Sequence, residues 1–391
     1  MLREDIERLE QNGITRVAMT RIGDPAVIPL WFGEGDRVTP DFIRVAAKQA
    51  LDEGYTFYGH MRGRAELRAA IKAYLDRLYR IDIDPDRITV PGSSMLAVTM
   101  AAQMTLTSGL HGLIVSPHWP NIDRAYRVTG ASYDCVRQRW DARRGWYLDL
   151  DDVRAALRPE TRALFVNTPC NPTGWVMRAD EQRALLALCR ERGIVIIADE
   201  VYHRTVFDGD AAPSFLEIAA DDDPLIVING FSKAFAMTGW RLGWMVTPPA
   251  FVEQMAVLSE CFNTSAPSFI QRAGIAALEH GEDVVAELRA EYQAGRACVM
   301  EVLGSHPLLE LAEPEGAFYA FPRVPGLASS LDFVRGVLAE ENVGLAPGYT
   351  FGPGNEAYFR LCYAQSGERL AEALRRIVRY LERQAGAIGA R

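Results

Sequence analysis

The stretch that decides the fold reads LIVINGFSKAFAMTGWRLGWMV and spans residues 225–246. It begins with an apolar, β-branched run at 225–229 and ends with a second apolar run at 242–246, and Lys233 lies in the loop between them. Continuous apolar strands are typical of a sheet that is covered on both faces. Because ligands bind beyond the carboxyl ends of the strands in such sheets, Lys233 is predicted to lie at a binding site, although most single lysines are solvated.

The region upstream of that stretch repeats the same pattern. Short apolar runs alternate with helical patterns such as 180–192, and this alternation predicts an α/β fold with a mainly parallel sheet. The upstream runs lie at 88–90, 113–116, 163–167 and 194–199.

The C-terminal part of the chain has a different pattern, which predicts a smaller α+β domain. Its expected elements are helices at 287–303, 330–340 and 367–383, strands at 318–321 and 358–361, and a loop at 346–354. A chain of 391 residues also exceeds the usual size of one core. We therefore predict a large domain over 36–286 and a small domain formed by 1–35 and 287–391.

Composition narrows the class of protein. The hydrophobic fraction of 49% allows a large core, and a net charge of −9 disfavours nucleic acid as a partner. The N-terminal residues are charged, and no stretch is apolar over the length that a bilayer requires. None of the six cysteines forms a CxxC pair, which favours free thiols in a reducing compartment. The sequence thus predicts a cytoplasmic protein without a membrane segment.

Polar residues follow the strand expected at 88–90. The segment Pro91-Gly92-Ser93-Ser94 leads into a helical pattern, and a glycine turn at a helix start can bind an anion through backbone N–H groups. A plain helix cap would have the same sequence, so the segment alone leaves both interpretations open.

Two further strands end in residues that suggest a site. The run at 163–167 leads into TPCNPTG, which contains Asn171, and the run at 194–199 ends in Asp199. A buried carboxylate is unfavourable unless it meets a cation, so Asp199 is expected to have a partner there or to cap a helix. An amine, a carboxylate and an anion cradle at one sheet edge are what pyridoxal phosphate requires.

The sequence resembles the class I/II aminotransferases of pyridoxal-phosphate fold type I, most closely the aspartate-aminotransferase-like subgroup. The matching strings are NTPCNPTG (167–174), DEVY (199–202) and GFSKAFAMTGWRLG (230–243), and the likeness runs from LWFGEGDRVTP (30–40) to YFRLCYA (358–364). The resemblance implies a large domain with a mainly parallel seven-stranded sheet. It also implies that Lys233 holds the cofactor as a Schiff base and later moves a proton.

The same resemblance assigns the other cofactor-binding residues. Asp199 would pair with the pyridinium nitrogen, Tyr202 and Asn171 would bind the ring oxygen, and Trp119 would stack on the ring. The residues implied for the phosphate are Gly92, Ser93, Ser94, Ser232 and Arg241. Gly230 stands where some members of the family have a serine.

The resemblance also implies residues that bind the substrate and one residue that is shared between subunits. Arg360 would bind the substrate α-carboxylate, and Gly33 together with Asn171 would allow the substrate to approach. Tyr58 would reach the phosphate of a neighbouring subunit, which implies a homodimer with shared sites. No arginine marks a pocket for an acidic side chain, and Arg62, Arg64 and His118 are the weak candidates.

The predicted function is therefore transfer of an amino group from an L-amino acid to a 2-oxo acid by a ping-pong mechanism. A lyase, cyclase or oxidase with the same cofactor is the alternative. A ligand sensor with a DNA-binding module lacks room before Gly33, and GFSKA lacks the last glycine of the hydrolase motif GxSxG. No HExxH or Walker A string predicts a metal or nucleotide site.

Overall fold

The computed structural model describes residues 2–365 and 367–388. The α-helices are α1 (Glu4–Glu7), α2 (Gly13–Ala18), α3 (Asp41–Asp52), α4 (Ala65–Tyr79), α5 (Ser94–Thr105), α6 (Asn121–Arg127), α7 (Leu150–Ala156), α8 (Ala179–Arg192), α9 (Phe231–Ala234), α10 (Val252–Phe262), α11 (Ser268–His280), α12 (Glu282–Leu303), α13 (Ser330–Glu341) and α14 (Gly367–Ile388). The strands are β1 (Ile28–Pro29), β2 (Ile88–Gly92), β3 (His111–Ser116), β4 (Ser132–Arg137), β5 (Arg139–Asp141), β6 (Gly145–Tyr147), β7 (Thr161–Asn167), β8 (Val195–Asp199), β9 (Leu225–Gly230), β10 (Gly243–Val246), β11 (Tyr319–Ala320), β12 (Val343–Gly344), β13 (Ala346–Pro347) and β14 (Phe359–Cys362).

The centre of the molecule is a seven-stranded sheet in the order β2-β10-β9-β8-β7-β3-β4. Strands β4, β3, β7, β8 and β9 run parallel, and β10 pairs antiparallel with both β9 and β2. The expected mainly parallel sheet is confirmed. Parallel strands place their carboxyl ends at one edge, so the residues that follow β7, β8 and β9 meet there.

Both faces of this sheet are buried, which explains the continuous apolar runs in its strands. Side chains alternate along each strand: Ile226 and Ile228 of β9 pack in the same cluster as α5 and α6, whereas Val227 packs on the other side. The edge strand β4 is only partly buried, and its sequence SYDCVR has no apolar run that would have predicted it.

The C-terminal part combines small sheets with helices, as the α+β pattern predicts. Strands β11, β14 and β13 form an antiparallel sheet in that order, and α12 packs against α14. Part of the expected loop at 346–354 has regular secondary structure, because it contains β13 and a 3-10 turn at Gly348–Phe351. That loop prediction was therefore wrong in part: the Pro/Gly-rich sequence conceals a strand that pairs with β14.

The N-terminal segment packs onto this C-terminal part. Strand β1 pairs in parallel with β12, and α2 lies against β13. The division into domains at 36–286 stays a prediction, because one hydrophobic cluster continues from the central sheet into the C-terminal helices. Among the residues that the structure describes, no helix is long and apolar enough to cross a membrane.

Candidate active site

A cavity of about 300 Å³ opens at the carboxyl ends of β7, β8 and β9. Its lining includes most of the residues that the sequence singled out. These are Gly33, Ser94, Trp119, Asn171, Asp199, Tyr202, Ser232, Lys233, Arg241 and Arg360. The sheet edge thus brings together residues that lie more than three hundred positions apart in the chain, as Gly33 and Arg360 do.

Lys233 lies in α9, the short helix that begins directly after β9. Its Nζ donates a hydrogen bond to the carbonyl oxygen of Gly33 at 2.5 Å. The side chain is half-buried, with its amine at the cavity and protein on its other sides. Burial lowers the pKa of Lys233 from its ordinary value of 10.5 to about 8. The amine therefore loses its proton at a lower pH than an ordinary lysine does, and its neutral form is a nucleophile and a base.

Asp199 is the last residue of β8 and is buried beneath the cavity. Its Oδ1 accepts a hydrogen bond from the backbone N–H of Val201 at 3.2 Å. Burial raises the pKa of Asp199 to about 7, against the opposing effects of that N–H and the charge of Lys233. The residues after Asp199 form turns rather than a helix, so it does not serve as a helix cap.

A chain of amide hydrogen bonds holds the floor of the cavity. Asn167 donates through Nδ2 to the carbonyl oxygen of Asp199 at 2.9 Å and accepts the backbone N–H of Asn171 at 2.7 Å. The side-chain oxygen of Asn171 in turn accepts from Nη1 of Arg360 at 3.2 Å. The ends of β7 and β8 are therefore fixed relative to β14.

Arg360 lies on β14 and is buried, with part of its hydrogen-bonding capacity unused. Its Nη2 donates to the carbonyl oxygen of Trp31, while its Nε is buried without a partner among the described residues. Its guanidinium lies over the ring of Tyr319 at 4.6 Å and over that of Phe351 at 5.3 Å. A buried planar cation with a spare donor at a cavity suits a carboxylate ligand.

In the predicted anion-binding segment, Ser93 and Ser94 have different roles. Ser93 caps α5 by accepting the backbone N–H of Leu96 at 3.2 Å, so the plain cap interpretation is correct for this residue. Ser94, in contrast, lines the cavity and donates to the carbonyl oxygen of Asn229 at 2.9 Å. Gly92 has a φ of +124°, which favours glycine. Ser94, at the N-terminus of α5, and Arg241 both line the cavity.

The structure also gives a reason for glycine at position 230. A Cβ atom there would lie 2.3 Å from Oγ of Ser94. Ser94 therefore occupies the space that a serine at 230 would need. Hydroxyl groups remain near this position, because Ser94 and Ser232 both line the cavity.

One predicted residue lies elsewhere in the single chain. Tyr58 is 91% exposed and lines a separate surface cleft with Phe57 and Pro267. Phe57 is itself 84% exposed. Tyr58 is therefore not brought to the cavity of its own chain.

The candidates for an acidic side-chain pocket also lie away from the cavity. Arg62 donates to Asp86, Arg64 pairs with Glu66, and His118 is buried, where burial lowers its pKa to about 4. None of the three is among the residues that line the cavity in the described part of the chain.

Several residues of the cavity were missed by sequence reasoning. Tyr319 lies on β11, and its hydroxyl meets that of Tyr202 at 2.6 Å. Three residues at the start of α2, namely Asn12, Ile14 and Thr15, close another side. No local pattern marks them, because they reach the cavity only through tertiary packing.

Comparison with known proteins agrees with this geometry. The sequence profile of the family described as aminotransferase class I and II matches residues 28–377. An aspartate aminotransferase of Pyrococcus horikoshii is 33% identical, with 91% of each chain covered. An aromatic-amino-acid aminotransferase of Thermococcus litoralis is 34% identical, with 97% of this chain and 98% of the relative covered. Among solved structures, an aspartate aminotransferase of Thermus thermophilus with maleate superposes with a TM-score of 0.90 at 29% identity, covering 97% of this chain and 100% of that one.

Proposed function

The chain belongs to the class I and II aminotransferases, and from this premise we propose that it binds pyridoxal phosphate through Lys233. It is an enzyme that moves an amino group from an amino acid to an oxo acid. The observation that carries the proposal is a half-buried lysine with a lowered pKa at the same cavity as a buried aspartate.

The cavity fits this cofactor by the chemistry of its donor set. Asp199 is a buried carboxylate whose hydrogen-bond donor is a backbone N–H, so a cationic ring nitrogen would stabilise its charged form. Ser94, Ser232 and Arg241 supply hydroxyl groups and a guanidinium for a phosphate, with Gly92 and Ser93 forming the turn into α5. Asn171 and Tyr202 offer donors for the ring oxygen, and Trp119 offers a flat side chain.

In this proposal pyridoxal phosphate supplies a reactive aldehyde carbon and a ring that withdraws electrons from the bound amino acid. Lys233, as a neutral amine, would take the proton from the α-carbon of the bound amino acid and later give it back, which is general base and acid catalysis. Asp199 would pair with the ring nitrogen and favour its protonated form. The hydrogen bonds through Asn167 and Asn171 hold Asp199 and Arg360 in fixed positions relative to each other.

Arg360 binds the α-carboxylate of the substrate in this proposal. Within the described residues its Nε has no partner, and its guanidinium lies against two aromatic rings, so little side-chain entropy remains to be lost on binding. Gly33 leaves the approach open, because a Cβ there would meet Tyr319 and lie 3.6 Å from Nζ of Lys233. The L-configuration of the donor and the 2-oxo acid acceptor follow from the family.

The proposal includes a homodimer. Tyr58 and Phe57 are exposed aromatic side chains that line the same surface cleft. Large exposed apolar side chains of this kind mark interaction sites. A second copy that covers this surface would bring its Tyr58 hydroxyl to the phosphate end of the neighbouring cavity. The six free cysteines support a reducing, cytoplasmic compartment.

The test is an absorbance spectrum of the purified protein, followed by single L-amino acids added without any 2-oxo acid. A visible cofactor band that disappears with some donors, together with release of their oxo acids, is the expected result. Lys233→Ala should lose both the band and the turnover. Steady release of ammonia without loss of the band would instead favour the lyase alternative.

A further inference from the structure

Tyr319 lines the cavity and contacts both Tyr202 and Arg360. It is completely buried on β11, where it pairs with Cys362 of the neighbouring strand β14, two residues after Arg360. Its hydroxyl lies 2.6 Å from that of Tyr202, and its ring lies beneath the guanidinium of Arg360 at 4.6 Å. We propose that Tyr319 is a positioning residue that orients Tyr202 through its hydroxyl and Arg360 through its ring. This inference rests on the proposed function.

The hydroxyl pair has a defined order of donors when the cavity holds an anionic oxygen. If Tyr202 donates its proton to that oxygen, its own oxygen can only accept, and Tyr319 becomes the donor to it. A donor behind Tyr202 polarises its O–H and makes it a stronger hydrogen-bond donor. Burial raises the pKa of both phenols, so both keep their protons over the working pH range.

The ring of Tyr319 has a separate role. It supports one side of the Arg360 guanidinium, and such a contact fixes the plane in which the donors of the fork point. The space above the hydroxyl is kept open by Gly33, since a Cβ at that position would lie 2.1 Å from the Tyr319 hydroxyl oxygen. Gly33, Tyr319 and Arg360 therefore pack together at the wall of the cavity.

Two substitutions separate the roles of hydroxyl and ring. Tyr319→Phe removes the hydroxyl and keeps the ring, whereas Tyr319→Leu removes both. The measurements are the pH titration of the visible band of the cofactor-loaded enzyme and the KM for several amino acids. The other groups that face the pair, namely Asp199, Arg360, Cys362 and the nearby Lys233, are unchanged in both variants.

We expect the titration midpoint to rise by roughly 0.5–1 pH unit in Tyr319→Phe, because a weaker Tyr202 donor stabilises the ionised ring oxygen less. The KM values of that variant should stay within about twofold of wild type. In Tyr319→Leu the KM values should rise by roughly tenfold or more, with the same shift in midpoint. The phenylalanine variant would thus restore KM but not the midpoint, which a merely structural role would not produce.

The result that would overturn the inference is a midpoint identical to wild type in Tyr319→Phe. This measurement uses Tyr319→Phe alone, so it can be made even if Tyr319→Leu fails to fold. A wild-type protein without a Lys233-dependent band would instead contradict the proposed function itself, so the two failures are distinguishable.

Discussion

Arg360 donates a hydrogen bond through Nη1 to the side-chain oxygen of Asn171 at 3.2 Å, and 189 positions separate the two residues. The bond joins β14 of the C-terminal part to the loop that follows β7 in the central sheet. Because the backbone N–H of Asn171 is also bonded to Asn167, Arg360 is held relative to the end of β7, next to β8 and its terminal Asp199. In the proposed function, one short series of hydrogen bonds would thus connect the substrate-binding residue with the cofactor-binding residues.

Arg360→Lys should raise the KM for every amino acid substrate by roughly 10- to 100-fold, since a lysine cannot supply the planar fork. The visible cofactor band should persist. Steady-state kinetics with several donors measures the effect. Arg139→Lys is the matched control, because Arg139 pairs with Asp152 at the surface and should leave KM unchanged. Equal KM values for Arg360→Lys and wild type would remove Arg360 from the carboxylate site.

Asp199→Asn should lower turnover by at least about 100-fold, because a neutral amide cannot hold a proton on the ring nitrogen. Steady-state kinetics measures this loss of turnover. Cofactor affinity should fall as well, and titration of the protein with pyridoxal phosphate measures it. Glu200→Gln is the control. Burial raises the pKa of Glu200 to about 8, so glutamine resembles its protonated form at neutral pH. Full activity of Asp199→Asn would contradict the role of Asp199.

The lowered pKa of Lys233 predicts how cofactor loading depends on pH. Only the neutral amine condenses with an aldehyde, and the neutral form dominates above the pKa of about 8 instead of above 10.5. The rate at which cofactor-free protein combines with pyridoxal phosphate should therefore rise with pH and level off above about 8. Free Nα-acetyllysine is the control for an ordinary amine. A protein rate that still rises at pH 10 would show that the amine is not perturbed.

The sequence predicted the polar residues at the strand ends of the cavity better than the other residues that line it. The sequence predicts Lys233 and Asp199 at one site because Lys233 follows a buried apolar strand, Asp199 ends another, and the carboxyl ends of parallel strands share one edge. A strand was predicted at 318–321, but nothing in the sequence placed Tyr319 at the cavity, because β11 has only two residues and reaches the site through its pairing with β14. The edge strand β4 was missed for a related reason: it is half-exposed, and its composition is polar.

The same limit applies to the N-terminal residues of the cavity. Asn12 and Thr15 reach it because β1 pairs with β12, far along the chain, and this pairing carries α2 towards the site. No feature of the sequence near residue 12 predicts that contact. Ser93 and Ser94 show a finer limit, since one caps the helix and the other lines the cavity.

Subunit complementation tests the shared site of the proposed homodimer. Tyr58→Ala and Lys233→Ala should each be impaired alone. After exchange of subunits, one site of a mixed dimer has an intact Lys233 and receives an intact Tyr58 from its partner, so activity should return. The solution mass should be about twice 43.4 kDa. A monomer, or mixtures that never exceed the sum of the two variants, would refute the shared site.

The most direct test of the central claim is borohydride reduction of the purified protein, followed by mass spectrometry of its peptides. Reduction makes a Schiff base permanent and marks the lysine that carries the cofactor. The account predicts a pyridoxyl-phosphate adduct on the peptide that contains Lys233, and its loss when an amino acid donor is added before the reduction. An adduct on another lysine, with the Lys233 peptide unmodified, would contradict it.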